Sequence, residues 1–437
     1  MSLVMLWTDA LVWLLVFAGV LWAWRLSGSA EAKRKWGMVF GTKTAMITAV
    51  ILTFYLLFAL LDSIHFKVEH SAKRSGEIVS VLDMAFAHQK DFSERTYSAP
   101  FATHEYAKSI VVGSDGIASQ RYLPLKYIST DDMVYKNLLA LALGVGISFL
   151  LIGGHLWYRK KKGGHSTLPW KSAYVSLSVV ILLFTWLYVM SFSYHVLGTD
   201  KVGGDLFYAS MKSIRTGVLI GVLTTLVTLP LAIVLGVSAG FFRGWVDDAI
   251  QYLYTTLSSI PGVLLIAAGV LSMQVMMDNH PDWFASTIER SDLRLLFLIL
   301  ILGVTSWTGL CRMLRAETLR ISQMDYVTAA KAFGVSRWRI MLRHIVPNLT
   351  HIILISVVLD FSGLVLAEAV LSYVGVGVDP TMYSWGNMIN QARLEMAREP
   401  MVWWSLFSAF VFMFILVLAA NLLSDRVQRV LDPRNRS

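Results

Sequence analysis

Charge is scarce in this chain. Asp, Glu, Lys and Arg make up 15% of its 437 residues, against 56% apolar residues and a mean hydropathy of +0.59. A soluble globular domain carries nearer a quarter charged residues, so the composition excludes one and requires an integral membrane protein. Cysteine is scarcer still. The single Cys311 cannot form an intrachain disulfide, and nothing nearby supports a reactive thiol, so it reads as an ordinary buried one. The long apolar runs lack polar–apolar alternation, which excludes a β-barrel and leaves helices as the way to satisfy backbone polar groups in lipid. The sequence has no internal repeat and no low-complexity tract.

Runs of roughly 20 apolar residues suffice to span a bilayer. The sequence predicts nine, near 4–24, 44–65, 137–158, 172–194, 214–240, 249–273, 294–314, 350–372 and 403–424. The net charge of +9 sits in short connections: "EAKRKWG", "YRKKKGGH", "RMLRAETLR" and the terminal "DRVQRVLDPRNRS". These alternate with balanced or acidic connections such as "MMDNHPDWFASTIERSD", which is the positive-inside pattern. It places the N-terminus outside and the C-terminus in the cytoplasm, and it argues against nucleic acid as a partner. The first span lacks a basic leader and is followed by "AEAKRK", so it reads as an uncleaved anchor; "SGSAEA" keeps a cleavage site open as the alternative.

Two parts are expected: residues 1–171, with three spans and a soluble insert over 66–136, and residues 172–437, with six spans joined by short connections. The insert leans towards β structure at "SIVVG" and "YLPLKYI", with turns at "GSDG" and "SAP". A small folded cap with a marginal core of its own is the expectation.

Between the seventh and eighth spans runs "DYVTAAKAFGVSRWRIMLRHIVPNLT", residues 325–350, a polar, basic and aromatic stretch inside an apolar chain. Ser322 with Asp325 three residues later has the form of a helix cap, and Tyr326, Ala329, Ala330 and Phe333 follow at helical spacing. Gly334 ends that helix, Ser336 starts a second through Trp338, Met341 and Ile345, and Pro347 opens a third. Two readings are open: an amphipathic helix resting on anionic lipid, its polar face carrying Lys331, Arg337, Arg339 and Arg343, or a docking element for a partner.

The alanine pair 329–330, the glycine four residues on and the proline thirteen beyond it resemble the "EAA" loop of ABC importer permeases. The resemblance implies a coupling helix over 322–349 that docks on an ATPase subunit, with Tyr326, Thr328, Ala329, Ala330, Phe333, Gly334, Trp338, Ile345 and Pro347 as the coupling residues. Thr328 stands where the motif has glutamate. "HVLGTDKVGGDLF" resembles the "GTDxxGRD" signature of the dipeptide/oligopeptide/nickel branch, with Gly198, Thr199, Asp200, Gly203 and Asp205 kept and Gly204 in place of the arginine. "AGFFRGWVDDAIQYLYTTLSSIPGVLL" resembles the next junction through Trp245, Asp247 and Pro261. "LSYVGVGVDPTMYSWGNMI" resembles an external loop through Gly375, Gly377, Pro380, Trp385 and Gly386, and the chain closes on "LDPR". The matches cover about 194–437, and the first three spans and their insert lie outside them.

The resemblance implies an all-α polytopic fold with a six-helix type I importer core, no cofactor in this chain, and ATP and Mg bound by two separate ATPase subunits in the cytoplasm. It further implies a second permease chain, a periplasmic substrate-binding protein, the bacterial inner membrane, and peptides as substrate; nickel chelates, glutathione or another small solute are the alternatives. Asp360 and Glu368 are ionisable residues within the eighth span, where charge normally faces a cavity or a partner. Asp360 is read either as facing the translocation path or as making a structural hydrogen bond to a neighbouring helix, and Glu368 either as a second path candidate or as simply reaching the membrane interface near the outer end. Pro230 and Pro261 are candidate gate kinks.

Weaker motifs compete. "GVSAG" at 236–240 fits the serine-hydrolase pattern, but that elbow needs a preceding strand, and glycines at this spacing in a span favour helix packing. An intramembrane protease built on Ser238 would need a histidine at its depth, whereas His155 and His351 lie near span ends. "GTKT" at 41–44 follows Gly37 one residue too closely for a phosphate-binding loop. A third class, an export or signalling membrane protein with a borrowed coupling loop, leaves the "GTD" and "SWGNM" stretches unexplained.

Overall fold

The structure is a computed structural model that describes residues 2–68, 77–112, 118–128, 133–161, 168–284 and 286–431. Among the described residues, nine helices are long and apolar enough to cross a membrane. They are Trp7–Ser27, Lys43–Asp62, Met133–Lys161, Trp170–Met190, Leu206–Phe242, Gly262–Asn279, Thr287–Ile321, Arg337–Val374 and Trp404–Leu431, numbered here as the first to ninth spans. The fold is all-α and polytopic, as expected, and its sheets are small.

Three expectations are corrected. The basic "loops" are largely helical: "EAKRKWG" lies in the helix Ala30–Val39, and "RMLRAETLR" is the end of the seventh span. Leu, Arg, Ala and Glu are good helix formers, and burial of Leu314, Thr318 and Ile321 carries that helix past its apolar window. The expected sixth span is two helices, Trp245–Ser259 and Gly262–Asn279, with Ile260 extended between them; Pro261 therefore sits in a break, not at a kink within a span. A residue before proline is driven out of the helical region, which accounts for the break. In the insert, "SIVVG" does form a strand, whereas its partner is Ala118–Arg121, with "YLPLKYI" contributing only an isolated bridge from Pro124 to His104. The "GSDG" turn and most of the terminal "LDPR" lie outside the described residues.

The chain divides into two compact units. The first comprises residues 1–5, 21–217 and 382–423. It holds an antiparallel sheet in the order β1 (Ser2–Val4), β2 (His65–Val68), β3 (Glu77–Ser80), and an antiparallel pair β4 (Ser109–Val112) and β5 (Ala118–Arg121). Ser80 opens a short helix with a reciprocal capping box to Asp83. The second and fourth spans meet through Phe54, Phe58 and Phe184, with centroids 4.9–5.6 Å from Phe184. Gly144 of the third span admits the fourth: a Cβ there would lie 2.9 Å from Leu182 Cδ2. The buried Tyr55 hydroxyl donates to Phe412 O of the ninth span at 2.7 Å.

The second unit comprises residues 6–20, 218–381 and 424–437. Its core joins Val237 and Phe241 of the fifth span, Ile250 and Tyr254, and Leu310, Cys311 and Leu314 of the seventh span to Val327, Ile340, Ile345 and Leu349. Gly236 and Gly240 let the fifth and seventh spans touch: Cβ atoms there would sit 2.7 Å from Cys311 O and Arg315 O. This is the packing role expected of that glycine pair. Near the start of the first span, the Thr8 N–H donates to Asp292 Oδ2 at 3.0 Å and its hydroxyl to Oδ1.

Candidate functional site

The stretch between the seventh and eighth spans is a short helix, a left-handed turn and a second helical piece. Ser322 ends the seventh span instead of opening the next helix: its N–H bonds back to Thr318 O, and its hydroxyl donates to Leu319 O and accepts from Arg243 Nη2. Met324 occupies the cap position of the helix Asp325–Ala332 without a side-chain bond, and Asp325 lies in its first turn, where the helix dipole favours a carboxylate. Gly334, with φ +73°, closes the helix: Val335 N–H reaches Ala330 O at 3.1 Å and Gly334 N–H reaches Lys331 O at 3.0 Å. That pair of bonds is a Schellman ending, as the glycine predicted.

Pro347 does not open a third helix. Arg337–Ile340 runs on through a π-helical turn, Met341–Ile345, into Val346–Val374. The register slips to i→i+5, with Val346 N–H on Met341 O, just before the proline that an unbroken α register cannot accommodate.

Burial sorts the stretch differently from its spacing. Val327, Ile340, Met341, Ile345 and Leu349 are buried, and Ala330 and Val335 are half-buried against the same core. Phe333 is 86% exposed, Trp338 62% and Tyr326 45%, and Thr328, Ala329 and Pro347 are exposed as well. The face expected to turn inward is thus split: Ala330 and Ile345 anchor the segment, and the aromatic residues point away. Partial contacts steady Trp338, Tyr326 and the neighbouring Lys331. Trp338 meets Phe242 edge-on at 5.8 Å, Lys331 Nζ lies 5.1 Å from the Phe241 ring, and Asn348 Nδ2 donates to the Tyr326 hydroxyl. Next to this segment Arg315 clasps Asp247 with two bonds, Nε to Oδ1 at 2.5 Å and Nη2 to Oδ2 at 2.7 Å. Those bonds hold the Asp247 carboxyl below the usual range. Sequence reasoning had counted Arg315 only as one more basic residue.

The "GTD" stretch, in the first unit, is a buried hydrogen-bonded turn. Gly198 and Gly203 have φ +80° and +77°. Thr199 Oγ1 donates to Thr96 O at 3.0 Å and accepts from Ser98 N–H, and Thr199 O accepts from Trp404 Nε1. Asp200 accepts from Val202 and Gly204 N–H, and burial pushes its carboxyl above the usual range. Asp205 caps the fifth span through Phe207 and Tyr208 N–H and pairs with His195 Nδ1 at 2.8 Å. The insert seals the turn: Glu94 N–H donates to Gly203 O, and a Cβ on Gly203 would lie 1.8 Å from Glu94 O. Trp385 is 1% exposed, donates to Ser210 O, and has Gly217 beneath its ring. Beside it in the same unit, Lys212 faces both Asp83 and Asp62, a buried cluster that sequence reading missed because its members are far apart in the chain.

In the second unit Gly375, with φ +88°, ends the eighth span, and a Cβ on Gly377 would lie 2.0 Å from Ser372 Oγ. Asp360 Oδ2 is buried without a hydrogen-bond partner among the described residues. Glu368 is 3% exposed and accepts from the Ser372 hydroxyl one turn on, at 2.7 Å. Pro230 lies inside the continuous fifth span, as does Ser238, with no strand before it. "GTKT" follows a helix as well.

Residues 232–437 match the family described as binding-protein-dependent transport system inner membrane component. The glutathione transport system permease protein GsiD of Pectobacterium atrosepticum is 31% identical over 245 residues, covering 56% of this chain and 74% of that protein. The oligopeptide transport system permease protein OppC of Mycobacterium tuberculosis is 29% identical over 286 residues, 61% of this chain and 92% of that one. The dipeptide transport system permease protein DppC of Bacillus subtilis is 29% identical over 242 residues, 55% and 69%. Among solved structures, an inward-facing form of the MetNI methionine ABC transporter is similar at 15% identity and a TM-score of 0.41, over 51% of this chain and 96% of that one, a likeness too slight to build on. The chain belongs to the binding-protein-dependent transport system inner membrane component family, as an integral membrane permease subunit of an ABC importer and not an enzyme.

Proposed function

We propose that this permease is one of two different membrane subunits of a peptide importer, and that residues 322–349 carry the motion of its ATPases into the spans. The observation that carries the reading is Phe333, 86% exposed at the end of a helix whose other side is fixed by buried Val327. Exposed aromatics on a rigid, well-terminated element are what a docking pocket on a partner needs. The basic residues Arg337, Arg339 and Arg343 flank them. Two cytoplasmic ATPase subunits bind ATP and Mg, a second permease completes the path, and an external binding protein delivers substrate. The N-terminus lies outside and the C-terminus in the cytoplasm. Short peptides are the substrate class, since curated relatives are named for oligopeptide, dipeptide and glutathione transport. Closure of the ATPase pair tilts the segment and with it the seventh and eighth spans, switching the side to which the path opens. Asp360 faces that path and attracts the peptide amino group; its unpartnered carboxylate oxygen supports the role.

Affinity purification of the full-length chain from its native membranes tests the reading. Wild type brings down two ATPases and a second permease, and Phe333→Asp loses the ATPases while keeping the permease. Undiminished ATPase recovery from the variant sinks the coupling role and leaves the segment as a helix lying on lipid. In the assembled transporter Asp360→Asn lowers peptide uptake; unchanged uptake removes Asp360 from the path.

A further inference from the structure

Lys43 and Lys171 stand in the first turns of the second and fourth spans and share the wall of one groove. The groove encloses about 560 Å³ and is otherwise lined mainly by apolar side chains, Ile47, Ile51, Val175 and Val179 among them. Both lysines are exposed, and among the described residues neither has an ion-pair or hydrogen-bond partner. Among the described residues, no carboxylate lines the groove. One lysine at a span end is ordinary, because its stem reaches the interface. Two, on adjacent helices above one apolar slot, put an uncompensated double positive charge where a membrane protein meets the headgroup layer. Both helices begin at this end, which adds partial charge of the same sign.

We infer that this groove binds one anionic glycerophospholipid, its phosphate bridging Lys43 and Lys171 and an acyl chain lying along Ile47, Ile51, Val175 and Val179. One amphipathic molecule meets both demands. A soluble anion answers only the lysines, and a zwitterionic lipid brings a cation of its own. Cytoplasmic-leaflet basic sites between spans recognise headgroups on the same electrostatic terms. Both helices precede residue 232, where the family match begins, so the site is independent of the coupling segment.

The test uses the full-length chain with its subunits, delipidated in mild detergent and titrated with phosphatidylglycerol, with phosphatidylcholine of the same chains, and with inorganic phosphate. Retained lipid is counted by native mass spectrometry, and the rise in thermal midpoint gives affinity. Phosphatidylglycerol binds and stabilises, and the other two do not. Lys43→Gln weakens binding about fivefold and the double variant with Lys171→Gln about thirtyfold, at roughly one basic residue's worth of attraction each. Val179→Trp, which fills the exposed slot and leaves both lysines, also weakens it. Equal binding of phosphatidylcholine, stabilisation by phosphate alone, or undiminished binding by the double glutamine variant would each overturn the assignment.

Discussion

Asp247 shows what one side chain contributes in this permease. Its two hydrogen bonds from Arg315 depress the carboxyl's folded pKa below an unfolded value of about 3.9. A depressed carboxyl contributes stability that is fully present above the unfolded pKa and is lost as pH falls through the folded one. As pH falls below the unfolded value, the wild-type thermal midpoint in detergent therefore drops with a component that Asp247→Asn lacks. Coincident pH profiles for the two proteins would show that the pair holds nothing. Asp247 was visible in the sequence as a family match; Arg315, 68 residues on, was not, because only folding makes them neighbours.

At the level of elements, the glycine turn is the clearest case. Nothing lies within 4 Å of a Cβ on Gly334, so Gly334→Ala meets no clash and costs only the left-handed conformation at φ +73°, about 1–2 kcal/mol. Peptide-stimulated ATP hydrolysis in the assembled transporter should fall in the order Gly, Asn, Ala, Val, since asparagine tolerates this conformation best after glycine. A valine variant as active as wild type would mean that the angle between the two helical pieces is unimportant. Nine spans were legible because a lipid-length apolar window is written locally. Their ends were not: the window stops where lipid stops, whereas helix Thr287–Ile321 continues on buried Leu314 and Thr318. The break at Pro261 and the slip before Pro347 depend on what surrounds each proline, since both residues restrict the chain alike. In the segment 322–349 the motif residues were legible, but which of them face the core was set by the tertiary packing of Val327 and Ile345.

At the scale of the molecule, the insert is not a loose appendage in its own unit. It closes over the Gly198–Asp205 turn through Glu94, Thr96 and Ser98, so the insert is tied to the turn whose sequence resembles the "GTDxxGRD" signature. Gly203→Ala, with its Cβ 1.8 Å from Glu94 O and φ at +77°, should cost about 2–5 kcal/mol and free the insert for limited proteolysis. Gly146→Ala, which meets nothing within 4 Å, should leave the digestion pattern unchanged. Equal digestion of both variants would show that the insert is held elsewhere. The π-helical turn at Met341–Ile345 has a mechanical meaning as well. It keeps one residue more than an α-helix needs, in a rod that runs from the outward aromatic Trp338 past Asp360. Absorbing or releasing that residue would turn one end of the rod against the other by about 100° and slide it by about 1.5 Å, with the backbone still bonded on both sides. A drive shaft with a clutch built into it can carry torque or let it slip.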